Sequence, residues 1–337
     1  MNQENRLSVV IPSAAAPDVF EEVLVALFTQ DPPPYEVILV DDAMDQKAYS
    51  IAERFSSKNP LKIVKNTSKG VSAARNTGAI ASEGDVILFI DTDVVPAPGS
   101  IRLILDFFSS CVECDGIVGV QSANLRYTDF FSRWKNHWMR FTYQRLKGRV
   151  HLFYTSCAAL RKNVFLRSGG FDESYVLPSI EDTVFGAVLG RMGACIYPCP
   201  QFEVEHVKSY SLGSVLKTDF KRSAALVKYV LRNLLTGHRS GTGKTSVPGS
   251  FIIGSVIMAL IWIGVTLALV SHPACWLAVF LLLIGLWIAN SSWLKYLHKE
   301  EGMMFLIKAI LFLPLDVMIV DAGMFKGLFD FITGSRY

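Results

Sequence analysis

Residues 86–96, VILFIDTDVVP, place two aspartates, Asp91 and Asp93, at the end of an apolar run. The run 86–90 has the composition of a strand that is buried on both faces, as in the interior of a parallel sheet. Open α/β sheets bind ligands at the carboxyl ends of their strands. Alternation along a strand sends both carboxylates to one side, where they suit a divalent cation that also binds phosphate. The pattern predicts a metal and diphosphate site, and two exposed turn acids are the alternative.

Strands and helices alternate around this stretch over the first 125 residues. The predicted strands are 7–11, 35–40, 61–64 and 86–90, and the predicted helices are 17–29, 48–56 and 71–81. Such alternation indicates a parallel sheet with helices on both faces. Polar loops follow three strands, at Pro12, at Asp41-Asp42 and at Asp91, and we expect them to converge on one crevice. Further along, 153–160 is predicted as a strand, and a helix is predicted to begin near Glu181 and Asp182, where its dipole favours carboxylates.

The carboxyl-terminal part of the 337-residue chain is strongly apolar. Residues 249–270 and 274–292 contain no charged side chain, and each segment is long enough to cross a bilayer as a helix. A third candidate, 303–325, includes Lys308, Asp316 and Asp321, and we expect a span there rather than a helix lying in the interface. No secretory signal is visible at the start, and Lys and Arg flank the first two spans but are absent from their connector. The sequence therefore predicts an integral membrane protein with residues 1–248 in the cytoplasm.

The net charge of +3 conceals a division along the chain. Residues 1–125 contain 9 Lys and Arg against 17 Asp and Glu, whereas 126–151 and 217–244 each contain 7 against one. Aromatic residues are interleaved with the bases in 126–151, where Trp134, Trp138 and Phe141 stand near helical spacing. This pattern favours amphipathic helices on anionic headgroups over a nucleic-acid partner, and two solvated basic faces are the alternative.

The six cysteines do not indicate a disulfide framework in a cytoplasmic chain. Two pairs, Cys111 with Cys114 and Cys195 with Cys199, have spacings that a zinc site could use. Neither pair is accompanied by a histidine or a glycine-rich knuckle, so ordinary buried thiols are the favoured interpretation.

Several sequence blocks, in this order, resemble family 2 glycosyltransferases of the GT-A fold. The blocks are VVIP (9–12), VILVDD (37–42), KGVSAARNTG (69–78), GDVILFIDTDV (84–94), GGFDE (169–173) and ED (181–182). The resemblance covers roughly 7–225. It implies a Rossmann-like, mostly parallel α/β sheet, followed in this chain by interfacial and transmembrane helices.

The resemblance implies a role for each matching residue. Pro12, Asp41 and Asp42 would contact the base and ribose of a nucleotide, and Lys69, Gly70 and Arg75 would border its pocket. Asp91 and Asp93 would hold the ribose and a Mn²⁺ or Mg²⁺ ion on the diphosphate, with His206 nearby. Asp182, next to Glu181, would act as the general base. The expected catalytic residues are therefore Asp182 and Glu181, and the expected metal ligands are Asp91 and Asp93.

The expected organisation has three parts. Residues 1–213 would form the catalytic domain, with 126–151 as a basic and aromatic insert, and 214–248 an interfacial helix with a basic linker. Residues 249–337 would form the membrane region of a bacterial or archaeal plasma-membrane protein. The sequence does not indicate an oligomeric state.

The expected function is that of a metal-dependent, inverting hexosyl- or N-acetylhexosaminyltransferase. It would transfer sugar from a nucleotide-diphospho-sugar, expected to be UDP-linked, to a lipid or lipid-linked acceptor in cell-envelope glycan or glycolipid synthesis. Alternatives are a polyprenyl-phosphate acceptor, or a catalytically degenerate scaffold of the same fold. The DDAMDQ segment (41–46) departs from the usual DDGSxDxT, which favours degeneracy, whereas the retained Asp91, Asp93 and Asp182 oppose it. DFKRS (219–223) stands where processive synthases carry QxxRW, so a processive enzyme is not expected.

Overall fold

The computed structural model describes residues 5–12, 17–175, 179–235 and 247–334. These residues form two compact units. The sheet unit comprises 5–126 and 143–208, and the helical unit comprises 127–142, 209–235 and 247–334. Part of the predicted linker, 236–246, lies outside the described residues.

The sheet unit is built on one eight-stranded mixed sheet. Its strands are β1 Leu7–Pro12, β2 Glu36–Asp41, β3 Leu61–Lys65, β4 Val86–Phe89, β5 Val94–Pro96, β6 Gly116–Gln121, β7 Ala158–Arg161 and β8 Ile196–His206. Their spatial order is β3-β2-β1-β4-β7-β6-β8-β5. β1, β2, β3 and β4 run parallel, β7 is antiparallel to β4 and β6, and β5 is antiparallel to β8. The predicted mostly parallel α/β fold is confirmed.

Helices separate the strands along the chain. The sheet unit contains α1 Pro17–Phe28, α2 Gln46–Ser56, α3 Val71–Ala81, α4 Ser100–Ser110, α6 Lys162–Ser168 and α7 Glu181–Arg191. The apolar residues of β1, β2 and β4 are almost fully buried, as expected for central parallel strands. Because these three strands are parallel, their carboxyl ends lie at the same edge of the sheet.

Two expectations for the sheet unit were wrong. The predicted strand at 153–160 is reduced to Ala158–Arg161, because only this part pairs with β4 and β6. Cys111 and Cys114 are joined by a disulfide instead of remaining free thiols. Among the described residues, no group of three or more His, Cys, Asp or Glu is placed to hold a metal, so the alternative of a zinc site gains no support.

The helical unit contains α5, except for its last two residues, and the last five helices of the described residues. They are α5 Phe130–Gln144, α8 Leu212–Leu235, α9 Gly249–Val270, α10 Cys275–Ala289, α11 Ser291–Glu301 and α12 Met303–Ile332. α9 and α12 are long and apolar enough to cross a membrane. α10 is only 15 residues long and is bent by 61° from α11, so the predicted span 274–292 is a broken element.

The aromatic side chains of α5 pack inside the helical unit, although we expected them to face headgroups. Trp134 and Phe141 are 1% and 5% exposed and contact Trp293 of α11. Two of the bases also have partners within this unit, since Arg133 pairs with Glu301 and Lys135 with Asp219. Protein contacts across the helical unit, which local spacing does not reveal, therefore replace the expected lipid contacts.

Small residues allow α12 to approach α8 closely. A Cβ atom on Gly323 would overlap Ser223 Oγ and the carbonyl oxygen of Phe220. A Cβ on Gly327 would overlap the carbonyl oxygen of Ala224. Gly323 and Gly327 have the GxxxG spacing that permits close helix packing, and α8 is the partner helix.

We predict that Gly327→Ala will destabilise the helical unit by about 1–3 kcal/mol, the usual cost of overpacking. All six tryptophans of the chain lie in this unit, so their fluorescence during unfolding in detergent reports on it. Gly213→Ala, also in α8, is the matched control because its new Cβ would meet no atom within 4 Å. Equal stability of the two variants would contradict the close contact.

Candidate active site

Asp91 and Asp93 lie in a tight turn between β4, which ends at Phe89, and β5, which begins at Val94. The Val94 amide donates to the Asp91 carbonyl at 3.1 Å. A turn at the carboxyl edge of the parallel strands therefore presents the two side chains. The expectation that alternation along one strand positions them was wrong, because neither aspartate lies in a strand.

The Asp91 carboxylate is held by two neighbours. Its Oδ2 accepts a hydrogen bond from Ser156 Oγ at 2.7 Å, and its Oδ1 pairs with the Arg75 guanidinium at 3.1 Å. Burial by itself would raise the pKa of Asp91, but the charge of Arg75 and the bond from Ser156 keep that pKa below its ordinary value. Asp91 is therefore ionised at neutral pH, with 26% of its side chain exposed.

Arg75 connects the Asp91 turn to the start of α7. Its side chain is 4% exposed, and Nη1 donates to Glu181 Oε1 at 2.9 Å. Burial would lower the pKa of Arg75, but the charges of Asp91 and Glu181 raise it above its ordinary value. Its guanidinium therefore joins two acids from separate elements, and its position at the border of a nucleotide pocket stays a prediction.

Asp93 lies beside His206, the last residue of β8. Asp93 Oδ2 is 3.3 Å from His206 Nε2, and the Val207 amide donates to the Asp93 carbonyl at 2.7 Å. The antiparallel pairing of Val94 with His206 brings these side chains together. On its other side, His206 Nδ1 is 3.1 Å from Gln121 Nε2.

The donor atoms here fit a divalent cation. Asp93 offers a carboxylate oxygen and His206 an imidazole nitrogen, with 25% and 15% of their side chains exposed. Carboxylate oxygens suit Mg²⁺ and Mn²⁺, and imidazole nitrogen is a common ligand of divalent transition metals. Asp91, whose two oxygens already have partners, lies two residues away from Asp93. A cation bound to so few protein ligands would take its remaining ligands from water and phosphate.

The residues expected to hold a nucleotide lie at the same edge of the sheet. Pro12 ends β1 opposite Val40, and Asp41 ends β2. Asp42 Oδ2 accepts a hydrogen bond from the amide of Gly70 at 3.0 Å. Gly70 has φ +107°, a conformation that favours glycine, and it precedes α3. Lys69, immediately before it, is exposed to solvent.

Glu181 and Asp182 form the first turn of α7, and both are buried. Glu181 Oε2 accepts a bond from the Ser179 amide at 2.7 Å, in addition to the pairing of its Oε1 with Arg75. Asp182 Oδ1 accepts from the Thr183 amide at 2.7 Å. Glu181 therefore connects α7 to Arg75, and Asp182 accepts a hydrogen bond from the amide that follows it.

Sequence reasoning missed Ser156 and Gln121. Gln121 ends β6, and its Nε2 donates to Tyr154 Oη at 2.6 Å as well as contacting His206. β6 ends at Gln121, so a search for polar residues at the ends of all strands would have included it. Ser156 carries no such signal, since it lies in irregular chain before β7.

Part of the chain matches a known protein family. Residues 8–168 match the model of the family described as glycosyl transferase family 2. The uncharacterized glycosyltransferase YibD of Escherichia coli (strain K12) is 32% identical over 94 residues, which are 28% of this chain and 27% of YibD. The poly(ribitol-phosphate) beta-N-acetylglucosaminyltransferase TarS of Staphylococcus aureus (strain Mu50 / ATCC 700699) is 32% identical over 92 residues, 26% of this chain and 16% of TarS.

A solved structure resembles this chain over 99% of its length. It is the mannosyltransferase PcManGT from Pyrobaculum calidifontis in complex with GDP-Man and Mn²⁺, with a TM-score of 0.60, 16% identity and 89% of its own chain covered. At this identity the likeness shows the fold alone. The two curated relatives are matched over about a quarter of their length or less.

We predict that Arg75→Met will destabilise the sheet unit by about 3–5 kcal/mol, because it leaves two acids without their shared cation. The unit contains no tryptophan, so resistance to proteolysis in increasing urea is the appropriate measurement. Arg102→Met is the control, since Arg102 and its partner Asp31 are exposed and such pairs contribute at most about 1 kcal/mol. Equal losses in the two variants would contradict the bridging role of Arg75.

Proposed function

We propose that the protein is a membrane-attached, metal-dependent, inverting glycosyltransferase, because residues 8–168 match the glycosyl transferase family 2 model. The donor we propose is a UDP-linked hexose or N-acetylhexosamine. The acceptor we propose is a hydroxyl of a lipid or lipid-linked glycan in cell-envelope or glycolipid synthesis. The observation that carries the proposal is the group formed by Arg75, Asp91, Asp93 and His206 at the carboxyl edge of the sheet.

This group suits the chemistry of a nucleotide-sugar donor. Asp93 and His206 would hold Mn²⁺ or Mg²⁺, with Asp91 beside them, and the cation would offset the charge that develops on the departing diphosphate. The likeness of the fold to a mannosyltransferase complexed with GDP-Man and Mn²⁺ supports a divalent cation. Asp41 and Asp42, with Gly70 and the exposed Lys69, would bind the nucleoside at the neighbouring strand ends.

The acceptor side of the proposal rests on α7. Asp182 would accept the proton of the acceptor hydroxyl as that oxygen attacks the anomeric carbon opposite the diphosphate, which inverts the configuration. Both oxygens of the Glu181 carboxylate have partners, because Oε1 pairs with Arg75 and Oε2 accepts from the Ser179 amide. Its proposed role is to position Arg75.

The membrane attachment supports a lipid-borne acceptor. Two helices, Gly249–Val270 and Met303–Ile332, are long and apolar enough to span a bilayer. We propose that the catalytic domain lies in the cytoplasm, where nucleotide sugars are available. A polyprenyl phosphate is the second candidate acceptor, and it would need no base because it is already ionised.

Donor use is tested first, by metal-dependent hydrolysis of UDP- and GDP-linked sugars by the purified full chain. We expect hydrolysis with a UDP sugar and Mn²⁺ that is lost on chelation. Lipid mass spectrometry of cells with and without the protein then identifies the sugar and the acceptor together. If the protein neither bound nor hydrolysed any of these donors, the result would favour the degenerate scaffold.

We predict that Asp93→Asn and His206→Ala will each abolish Mn²⁺-dependent binding of the donor, because each removes one of the two converging ligands. Titration calorimetry of UDP with and without Mn²⁺ measures this loss directly. Asp106→Asn, an exposed acid of α4, should leave binding unchanged. Retention of Mn²⁺-dependent binding in both site variants would place the cation elsewhere.

We predict that Asp182→Asn will lower turnover by about 10²–10⁴-fold with unchanged donor affinity, the usual cost of losing general-base catalysis. Comparison of kcat on a hydroxyl acceptor and on a polyprenyl phosphate distinguishes the two acceptor classes. Undiminished kcat on the phosphate acceptor would establish the second candidate. Undiminished kcat on the hydroxyl acceptor would exclude Asp182 as the base.

A further inference from the structure

The apolar helix α12 is bound along its second half by the charged helix α8. Gly323 lies against Phe220 and Ser223, Gly327 lies against Ala224, and Asp330 is 3.8 Å from Lys228. Residue numbers rise together on the two helices, so α8 and α12 run parallel, side by side. The second half of α12 must therefore lie at the same depth in the membrane as α8.

The charges of α8 exclude it from the centre of a bilayer. Lys217 and Lys221 are exposed, and Lys228 and Arg232 follow within the same helix. Exposed lysines at the centre of a membrane are costly and rare. A helix with basic residues distributed along its length is typical of the interface, where its charges contact headgroups.

The contact with α8 places the middle of α12 at this shallow depth. Asp316, the fourteenth of the 30 residues in α12, is buried beside Asp219 and Lys135. If α12 crossed the bilayer, this midpoint would lie at the centre of the hydrocarbon. The exposed Lys217 and Lys221, on either side of Asp219, would then lie there too.

The first half of α12 is bound by a second polar helix, α5. Phe305 and Phe312 of α12 contact Phe130 of α5. On α5, Arg133 and His137 pair with Glu301, which comes just before α12. Both halves of α12 are therefore attached to helices that carry charged residues, although those of α5 pair within the helical unit.

The exposed apolar side chains of α12 lie on one face. At 100° per residue they fall within about half of the circumference. This face comprises Met303, Met304, Ile307, Leu311, Met324, Phe325, Leu328, Phe329 and Ile332. Lys308 and Lys326, both exposed, lie at the edge of the same face, as expected for lysines that reach toward headgroups.

We propose that α12 lies in the plane of the membrane, paired with α8, and does not cross the bilayer. Its apolar face rests on the acyl chains of one leaflet, and the α9–α10 hairpin is what enters the bilayer. The sequence favoured a span at 303–325, because composition reports apolarity but not the neighbours of a helix. The end of α12 is then on the same side of the membrane as the start of α9.

The first test determines on which side of the membrane the end of α12 lies. An epitope appended after Tyr337 should be cleaved by protease in inside-out vesicles and protected in sealed right-side-out vesicles. The same epitope inserted at His272, in the α9–α10 connector, should show the opposite pattern. If both epitopes were cleaved from the same side, α12 would be a span and the proposal would be wrong.

The second test measures the depth of α12 in the bilayer of proteoliposomes and does not depend on the epitopes. Spin labels at Leu311, Phe325 and Phe329 of α12 should show one shallow depth in power-saturation measurements with oxygen and a nickel chelate. Labels at Ile252, Leu260 and Leu269 of α9 should be shallow, deep and shallow in turn. A deep position at Leu311 with a shallow one at Phe329 would overturn the proposal.

Discussion

The site depends on one buried cation, the guanidinium of Arg75, which is shared by Asp91 and Glu181. An acid in so little water is stable as an anion only when a charge or several donors compensate its lost hydration. Arg75 supplies that compensation to two acids from different elements at once. The turn that presents Asp91 and the first turn of α7 are therefore fixed relative to each other before any ligand binds.

The remaining site residues follow from the topology of the sheet. Parallel pairing of β1, β2 and β4 brings Pro12, Asp41 and the Asp91 turn to one edge. β8 pairs antiparallel with β5, and this pairing places His206 beside Asp93. The two proposed metal ligands, Asp93 and His206, are 113 positions apart in the sequence, and the backbone pairing of β5 with β8 brings them together. Gln121, at the end of the strand beside β8, completes the surroundings of the histidine.

In the helical unit, apolar composition does not by itself decide whether a helix enters the bilayer. The aromatic residues of α5 are buried against protein, and its Arg133 and Lys135 pair with acids of α11 and α8. α12 is apolar enough to cross a membrane, yet it packs along a helix that carries exposed lysines. Neighbouring helices determine the depth of such a segment, because a charge carried by one member of a tightly packed pair constrains both.

The sequence alone determined the features that arise from local periodicity. The alternation of strands and helices, the strand before Asp91 and the uncharged helix α9 can be read from it, because burial and helix geometry impose fixed spacings on apolar residues. The GxxxG spacing of Gly323 and Gly327 is likewise visible in the sequence, but the helix that packs against it is not. Only the tertiary structure decided which residues meet across long separations: Arg75 with Glu181, Asp93 with His206, and Lys135 with Asp219. No local pattern specifies such contacts, because they arise when the whole sheet or the whole helical unit has packed.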